Sequence, residues 1–393
     1  MAKISAGPTH YVVLGVDPQS KPAELRAAYR RLARKYHPDV NPDPKAHELM
    51  ARINTAFESL IDPVRRMEYD ASLNGGAVAD PNGESQRAPE QVQVTIAHRI
   101  VEHRTPIYAL TFRRETGELI SASFDNEILW WNPSNGQANR RIKLEGGAIT
   151  NIQSVAGDKL VASGCSETSV AVWRTQGESL LGSKQFSLEW AVSARVSPDG
   201  ARVAAGSVNR AFTVSQTETG EKLFAGHSHS ESVTALAWSP DGRYLATGSA
   251  DASVKLWDGQ SGRELFTFQY IRSTVTALAF SPDGSQLAVG AVDLSIRIFD
   301  VAKRQHTKTF FGHERPIESL AFHPCGWLLG SAGRDGFVGL FDTYRGIGHG
   351  KIEASHLPLS TIAFSPNGDH MAAGGLDKVL RIWNLRLAAS KVA

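Results

Sequence analysis

Near the start of the chain, His37 and Asp39 lie two positions apart, with Pro38 between them. A histidine and an aspartate at this spacing could exchange a proton. Histidine titrates near neutral pH, and a carboxylate within hydrogen-bond reach of it is a common general acid–base arrangement. Catalysis would also need a nucleophile, a metal or a substrate pocket, and the flanking sequence has no motif for any of them. The pair by itself is therefore not expected to form a reaction centre, and an ordinary loop is one alternative.

The residues before this pair have the periodicity of an amphipathic helix. Apolar side chains recur at the spacing of one helix face, namely Leu25, Tyr29, Leu32 and Tyr36. Basic side chains fall mostly off that face, namely Arg26, Arg30, Arg31, Arg34 and Lys35. Pro38 disfavours helical geometry at His37, so the helix is predicted to stop there. The sequence thus predicts a tight loop that holds His37 and Asp39 beside a positive, solvated helix face.

With this pattern in place, the sequence from about Thr9 to Asp70 resembles the J domain of DnaJ-type co-chaperones. The segments similar to the four family helices follow in order: residues 11–16, 22–36, 46–61 and 62–70. The tripeptide His37-Pro38-Asp39 lies where the family has its signature sequence. The second and third helices are expected to form an antiparallel hairpin. The side chains expected to pack across it are Leu25, Tyr29, Leu32 and Tyr36 against Leu49, Ile53, Phe57 and Leu60.

The resemblance implies that this domain docks on a DnaK-class heat-shock chaperone and stimulates its ATP hydrolysis. The docking residues that it implies are His37, Pro38, Asp39, Arg26, Tyr29, Arg30, Arg31, Arg34 and Lys35. Basic groups of this kind attract an acidic surface mainly by raising the association rate and orienting the encounter. The alternative is a solvated helix face that binds nothing. Nucleic acid fits these charges less well, because no stacking aromatics or base-reading motif accompany them.

From residue 92 onward, three independent sequence markers recur every 42 residues. Turns of Ser-Pro-Asp-Gly type begin at Ser197, Ser239, Ser281, His323 and Ser365. A mainly acidic position recurs at Asp125, Glu167, Asn209, Asp251, Asp293, Asp335 and Asp377. A mainly aromatic position recurs at Trp131, Trp173, Ser215, Trp257, Phe299, Phe341 and Trp383. Short alternating strands lie between these markers, and four strands in a unit of about 40–45 residues are typical of a β-propeller.

The repeat units resemble WD repeats, with Trp257-Asp258 as the signature dipeptide. Seven units predict a closed ring of seven blades, and closure removes exposed strand edges. Residues 92–96 alternate in polarity and precede the first complete unit. We therefore expect them to complete the last blade next to residues 381–383, so that trimming either end of the propeller destabilises the whole ring.

The recurring histidines and aspartates of the propeller could suggest metal binding or catalysis, but their fixed period favours a structural role. The WD resemblance implies a relay of His, Ser or Thr, Asp and Trp within a blade, which should stiffen it. Blade one is expected to contain a complete relay: His103, Ser121, Asp125 and Trp131. Blade four is expected to contain another: His227 or His229, with Thr247, Asp251 and Trp257. Blade six has His313, Ser331 and Asp335 but Phe341. Blade three has lost the relay at Ala205, Asn209 and Ser215, and should be the softest.

A partner-binding surface is expected at one end of the propeller. In WD-repeat proteins the residue before the repeat aspartate often faces the top of the disc; here these are Phe124, Ser166, Val208, Ala250, Val292, Arg334 and Leu376. Four of them are large and apolar, which is unusual for a solvated rim. Tyr108 and Trp190 are expected near the same face, and aromatic residues and arginine commonly anchor interfaces. The partner-binding candidates are Tyr108, Phe124, Trp190, Val208, Val292, Arg334 and Leu376. The alternative is that several of them pack between blades.

Composition limits the class of protein. The 393 residues have a net charge of +2, with 41% hydrophobic and 21% charged residues. These values fit soluble globular domains and imply no general attraction to nucleic acid. Two distant cysteines, Cys165 and Cys325, argue against a disulfide framework and a zinc module and favour a reducing compartment. Because the sequence has no signal-peptide core and no run of about 20 apolar residues, we expect a cytoplasmic protein without membrane or nucleic-acid partners.

The predicted fold class is a small all-α J domain followed by an all-β seven-bladed propeller. The predicted boundaries are residues 1–8 for a lead-in, 9–73 for the J domain, 74–91 for a flexible linker, 92–387 for the propeller and 388–393 for a tail. We expect no cofactor, metal or enzymatic activity, since the usual phosphate-loop, zinc-protease and serine-hydrolase motifs are missing from the sequence.

Three functions remain open at this point. The first is a co-chaperone whose propeller binds a client or partner protein. The second is a WD-repeat scaffold in which the J-like module is a passive docking element. The third, and weakest, is a propeller enzyme with a metal or small ligand in its central channel.

Overall fold

The N-terminal domain begins with two helices. The computed structural model describes residues 9–36, 49–50, 52–53, 56–57, 60–61, 66, 69–70, 90–145, 148–155, 159–177 and 179–389. Helix α1 spans His10–Leu14 and helix α2 spans Pro22–Tyr36. Helix α1 begins after Thr9, whose hydroxyl accepts a hydrogen bond from the Val12 backbone N–H. It ends at Gly15, which adopts the left-handed conformation that glycine tolerates best, with φ of 65°.

Helix α2 has a well-formed N-terminus. Pro22 occupies the first helical position, where a missing N–H costs nothing. The Glu24 carboxylate accepts the backbone N–H of Lys21 at 2.6 Å, as in a capping box. These contacts set the start of the helix, and the apolar stripe predicted from the sequence then sets which side faces the core.

The core of the J domain is the one expected for a helical hairpin. Leu25 is fully buried in one cluster with Leu14, Met50, Ile53 and Leu60. All of the side chains predicted to pack across the hairpin belong to this cluster or pack against it. The bounds predicted for the third and fourth helices include residues outside the described ranges, so those bounds remain predictions.

The rest of the described chain forms seven antiparallel sheets of four strands each. The strand β1 spans Glu90–Ile100 and precedes the first sheet in sequence. Blade one contains β2 (Ile107–Phe112), β3 (Leu119–Ser123), β4 (Glu127–Trp131) and β5 (Ala138–Lys143). Blade two contains β6 (Ala148–Val155), β7 (Lys159–Cys165), β8 (Ser169–Gln176) and β9 (Ser179–Ser187). Blade three contains β10 (Ala191–Val196), β11 (Arg202–Ser207), β12 (Phe212–Gln216) and β13 (Lys222–Gly226).

The remaining blades repeat the same order. Blade four contains β14 (Val233–Trp238), β15 (Tyr244–Ser249), β16 (Val254–Asp258) and β17 (Glu264–Phe268). Blade five contains β18 (Val275–Phe280), β19 (Gln286–Ala291), β20 (Ser295–Asp300) and β21 (Gln305–Phe311). Blade six contains β22 (Ile317–Phe322), β23 (Leu328–Gly333), β24 (Phe337–Asp342) and β25 (Ile347–Glu353). Blade seven contains β26 (Leu359–Phe364), β27 (His370–Gly375) and β28 (Leu380–Ala389), and is completed by β1.

The predicted ring closure is confirmed. Strand β1 pairs antiparallel with β28, with Ile96 opposite Trp383 and Val94 opposite Leu385. The sheet order is β1-β28-β27-β26, so the outer strand of the last blade comes from the start of the propeller. Across the same closure, Ile107 of blade one packs with Ile382 of blade seven. The two ends of the ring are therefore held by both backbone pairing and apolar packing.

The Ser-Pro-Asp-Gly turns explain how one strand reverses into the next. In blade four the Ser239 hydroxyl donates to the Asp241 carboxylate at 2.6 Å and accepts the Tyr244 backbone N–H at 2.8 Å. Gly242 adopts a positive φ of 67° in this turn, which glycine allows without strain. The turns lie at the end of the propeller that we call the lower face. No helix in the described ranges is long and apolar enough to span a bilayer.

Candidate functional site

The positive face predicted for helix α2 is exposed to solvent. Leu25 and Ala28 point into the core, which leaves the opposite side of the helix open. All five basic side chains are exposed: Arg26, Arg30, Arg31, Arg34 and Lys35. Arg34 and Lys35 lie in the last turn, where positive charge also interacts favourably with the helix dipole. The helix therefore presents a positive surface that runs to its C-terminal end at Tyr36.

Tyr29, which the J-domain resemblance included among the docking residues, is half-buried. Its ring stacks on that of Phe57 with 4.2 Å between the ring centroids. This contact supports the helical hairpin beneath the basic face. The loop residues His37, Pro38 and Asp39 lie outside the described residues, so their proposed role remains a prediction.

The C-terminal part of the J domain is bound back onto α1 and onto the turn after it. Arg66 donates to the carbonyl oxygens of Ser20 at 2.6 Å and Pro18 at 2.8 Å. Its Nε also donates to the Tyr11 hydroxyl, which in turn donates to the Asp70 carboxylate at 2.5 Å. These hydrogen bonds link residues more than 40 positions apart and hold the C-terminal part of the domain against α1 and the turn that follows it.

An aromatic side chain of blade five contacts the J domain. Phe311, at the end of β21, lies edge-on to the rings of Tyr69 and His10, with centroid separations of 5.7 and 5.9 Å. His10 stacks on Tyr69 at 4.2 Å, so the three rings form one cluster. Burial lowers the pKa of His10 to about 4 and raises that of Tyr69 to about 12. The contact leaves the basic face of α2 exposed.

Blade four contains a complete hydrogen-bonded relay. His229 Nε2 lies 2.7 Å from Thr247 Oγ1, and His229 Nδ1 lies 3.0 Å from Asp251 Oδ2. Trp257 Nε1 donates to the same threonine oxygen at 2.9 Å. Of the two histidines considered from sequence, His229 is the relay member and His227 is exposed. Every member is buried or nearly so, which is the condition under which such networks stiffen a fold.

Blade one contains only part of the expected relay. His103 Nε2 lies 2.6 Å from Ser121 Oγ, and Trp131 Nε1 donates to that oxygen at 2.8 Å. The link from His103 to Asp125 is missing, because His103 Nδ1 is buried without a hydrogen-bond partner among the described residues. The expectation of a complete relay in blade one was therefore wrong at this one link.

The residue two positions after the aspartate differs between blades one and four. Glu127 stands where blade four has Ser253, whose hydroxyl donates to the relay aspartate at 2.6 Å and also lies 3.1 Å from His229 Nδ1. In blade one the Asp125 carboxylate accepts the Ser123 hydroxyl at 2.5 Å instead. Burial lowers the pKa of His103 to about 4, so the ring is neutral at pH 7.

The other blades use different polar cores. Blade six has His313 at 3.0 Å from Asp335 and at 2.6 Å from Ser331, with Phe341 in place of the tryptophan. Blades five and seven instead contain buried ion pairs, Arg297–Asp293 at 2.8 Å and Arg381–Asp377 at 2.5 Å. Blade three has Ala205, Asn209 and Ser215 at the relay positions. Its expected softness stays a prediction.

A common backbone hydrogen bond places the predicted binding residues at one end of the propeller, which we call the upper face. In six blades the residue before the repeat aspartate donates its N–H to a carbonyl 18 residues earlier, in the loop that enters the blade. The pairs are Phe124 to Pro106, Val208 to Trp190, Ala250 to Ser232, Val292 to Thr274, Arg334 to Pro316 and Leu376 to Pro358. Ser166 of blade two bonds to Ser169 instead.

Most of the partner-binding candidates are exposed on this face. Phe124, Trp190, Val208 and Val292 are between 42% and 56% exposed, and Leu376 is 36% exposed. Tyr108 is half-buried, with its ring centroid 6.0 Å from that of Phe124. Arg334 is exposed and forms an ion pair with Glu318. The structure therefore brings these residues to one face without packing them between blades.

Two residues with unusual surroundings escaped the sequence reasoning. Phe311 stands at a repeat position that is polar in most other blades, and Arg195 stands where the other blades have small or uncharged residues. Alignment of the seven repeats at the 42-residue period would have shown both as exceptions. Several exposed apolar residues of the upper face, among them Tyr270 and Leu357, also fell outside the marker positions.

Comparison with known families agrees with this two-part architecture. The family model described as "DnaJ domain" matches residues 9–70. The model described as "WD domain, G-beta repeat" matches residues 220–258, 262–300, 304–342 and 348–384. The first of these matched segments runs from β13 to β16, which is the outer strand of one blade and the three inner strands of the next. Because each matched segment begins with the outer strand of the preceding blade, the last blade has three strands of its own, and β1 supplies its outer strand.

Curated relatives named chaperone protein DnaJ match the J domain. "Chaperone protein DnaJ 1" of Aquifex aeolicus is 51% identical over 65 residues, which are 16% of this chain and 18% of that protein. "Chaperone protein DnaJ" of Leifsonia xyli is 45% identical over 78 residues, 19% of this chain and 21% of that protein. The chain thus spans about a fifth of the length of the curated relatives it matches. The helices, the blades and these matches together show a chain that consists of an N-terminal DnaJ domain and a seven-bladed β-propeller built from WD repeats.

Proposed function

We propose that this protein is a co-chaperone that stimulates ATP hydrolysis by a DnaK-class heat-shock chaperone, and that its propeller binds a client or partner protein. In this proposal the protein is an activator and has no enzymatic activity of its own. The cytoplasmic location expected from the sequence stays a prediction.

The observation that carries the proposal is the exposed basic face of α2 within a segment that matches the DnaJ domain. Five exposed cations on one short helix favour an acidic partner surface. The helix ends at Tyr36, one residue before the His37-Pro38-Asp39 tripeptide, so the tripeptide and the basic face belong to one docking surface in the proposal. The relatives that match this segment are named chaperone protein DnaJ.

The test is single-turnover ATP hydrolysis by a DnaK-class chaperone with the full chain, with its His37→Gln variant and with its Arg30→Glu variant. We expect stimulation by the wild type, loss of stimulation with His37→Gln, and weaker, salt-dependent stimulation with Arg30→Glu. Arg104→Glu is the matched control, because Arg104 is an exposed arginine of the propeller. Stimulation that survives in a folded His37→Gln protein would contradict the proposal.

For the propeller, the upper face supports the binding of a protein partner. Exposed apolar and aromatic groups recur around the ring, and such residues anchor protein interfaces. The test is affinity capture with the full chain, compared between Trp190→Ala on the upper face and Tyr344→Ala on the lower face. Both side chains are exposed aromatics. We expect Trp190→Ala to lose a protein that Tyr344→Ala retains, and equal capture by both variants would argue against this face.

A second candidate function is a WD-repeat scaffold in which the J domain is a passive docking module. The contact between Phe311 and the rings of Tyr69 and His10 favours it, because it attaches the J domain to the propeller surface. Normal function of a His37→Gln chain in cells would support the scaffold and weigh against the co-chaperone.

A further inference from the structure

The central channel of the propeller contains a polar cavity below its upper opening. Its volume is about 180 Å³, which is enough for several water-sized groups. Every blade contributes residues from its innermost strand, and many of them carry hydroxyl groups, such as Thr150, Ser193, Thr276 and Ser360. A cavity of this polarity is suited to a hydrated or charged ligand rather than an apolar one.

Arg195 of blade three is the one cationic residue among those that line the cavity. Its Nη1 donates to the Ala194 carbonyl at 3.0 Å, and no carboxylate lies within ion-pair distance of it in the described part of the chain. A guanidinium has five N–H donors, so most of its hydrogen-bonding capacity is unused by protein. Burial lowers the pKa of Arg195, which reflects the cost of an enclosed charge without a counter-charge.

The same repeat position is small or uncharged in every other blade: Thr111, Gln153, Ala237, Ala279, Ala321 and Ala363. An arginine is thus not required to build the innermost strand of a blade in this protein. Its presence in blade three adds a positive charge to the channel that no other blade supplies at this repeat position.

A second donor in the same cavity also lacks a partner. The Thr276 hydroxyl of blade five is buried with no hydrogen-bond partner among the described residues. Buried hydroxyl groups are normally hydrogen-bonded, because an unsatisfied one costs about 1–3 kcal/mol. The one acidic residue of the lining, Glu318, is engaged by Arg334. The cavity therefore combines an uncompensated cation with an unsatisfied hydroxyl.

We propose that this cavity binds a small oxyanion, a phosphate or carboxylate group, held by the Arg195 guanidinium and the Thr276 hydroxyl. Oxyanions accept several hydrogen bonds at once and match the planar fork of a guanidinium. The anion supplies the counter-charge that Arg195 lacks and the acceptor that Thr276 lacks. The site does not depend on the co-chaperone proposal.

The experiment measures anion binding by the full chain with inorganic phosphate and, separately, acetate as the probes. Titration is followed by calorimetry and by the thermal unfolding midpoint, against sodium chloride at matched ionic strength. Wild type is expected to bind at least one probe saturably and to unfold at a higher temperature in its presence. Preference for phosphate would identify a phosphate group as the ligand, and preference for acetate a carboxylate.

Two variants and one control test the residues. Arg195→Gln is expected to weaken binding by roughly ten- to hundredfold, as for loss of hydrogen bonds to a charged group. Thr276→Val keeps the side-chain shape and is expected to weaken binding several-fold. It also provides a test of the site if the Arg195→Gln protein does not fold. Arg210→Gln, an exposed arginine outside the cavity lining, should bind like the wild type. Absence of saturable binding to wild type at millimolar concentrations, or equal binding by all three variants, would overturn the site.

Discussion

The ring of Phe311 in the propeller meets the ring of Tyr69 in the J domain edge-on, with 5.7 Å between the ring centroids. Edge-to-face aromatic pairs of this geometry contribute about 0.5–1.5 kcal/mol beyond their buried area. The sequence did not show whether the J domain packs on the propeller or swings free on its linker. This contact joins the J domain to the outer strand of blade five. The same contact shields His10, whose backbone N–H donates to the Tyr69 hydroxyl at 2.6 Å.

Replacement of Phe311 by alanine should expose His10. Burial holds the pKa of His10 at about 4, so loss of the covering ring is expected to raise it toward 6.5. An NMR titration of the histidine side chains measures this directly. Phe124→Ala, which removes an exposed aromatic of the upper face, is the control and should leave the His10 pKa unchanged. An unaltered His10 pKa in Phe311→Ala would mean that the domain contact does not persist in solution.

The relay of blade four should contribute more to the free energy of unfolding than the relay of blade one does. Asp251→Asn replaces one of two accepting carboxylate oxygens with an NH2 group and removes the negative charge beside the His229 ring, whereas Asp125 has no hydrogen bond to His103. We expect Asp251→Asn to lower the free energy of unfolding by roughly 1–2 kcal/mol more than Asp125→Asn does, as measured by urea unfolding. Equal losses for the two substitutions would show that the histidine link contributes little.

Acid should destabilise the propeller through its buried histidines. Burial lowers the pKa of His103 and of His306 to about 4, while an unfolded histidine titrates near 6.5. Between these values the unfolded chain binds protons that the folded chain does not, so stability is present above pH 6.5 and is lost as the pH falls toward 4. Each such histidine contributes a slope of up to about 1.4 kcal/mol per pH unit.

Unfolding free energies measured from pH 7 to pH 4 test this dependence. His103→Gln should reduce by about one the number of protons bound on unfolding, since glutamine does not titrate. The slope of unfolding free energy against pH should fall accordingly. His356→Gln serves as the control because the His356 side chain is almost fully exposed. A slope that is the same in wild type and in His103→Gln would exclude His103 as a source of the acid sensitivity.

Loss of the closing strand should open the ring. A chain that starts at residue 101 lacks β1, so β28 becomes an unpaired edge and the half-buried Val92 and Val94 no longer pack on blade seven. We expect a loss of roughly 3 kcal/mol or more in unfolding free energy, together with a tendency to aggregate. A chain that starts at residue 90 keeps β1 and is the control. Equal stability of the two chains would mean that closure depends on β26 to β28 alone.

Much of the fold followed from local patterns. The 42-residue period defines the seven blades, because each blade is one repeat that must place the same turn, aspartate and aromatic at the same points. The alternating strand at residues 92–96 had no partner within its own repeat, which predicted its place beside β28. Likewise, the apolar stripe of α2 determined that its five cations would face solvent.

Local patterns could not determine contacts that depend on side-chain direction. His227 and His229 are two residues apart and equally plausible in sequence, but only the position with its ring directed at Thr247 completes the relay. The same limit explains blade one, where all four relay residues are present in the sequence but the His103 Nδ1 atom has no hydrogen-bond partner among the described residues.

The sequence by itself thus determined the two domains, the number of blades, the closure of the ring and the positive face of α2, because periodicity and backbone geometry are properties of neighbouring residues. Only the tertiary structure decided that Phe311 meets Tyr69 and that Arg195 is enclosed in the channel. Both depend on residues from distant parts of the chain coming together, and each of these two side chains departs from its own repeat position in the other blades. Their surroundings are set by the assembled ring and not by the repeat that contains them.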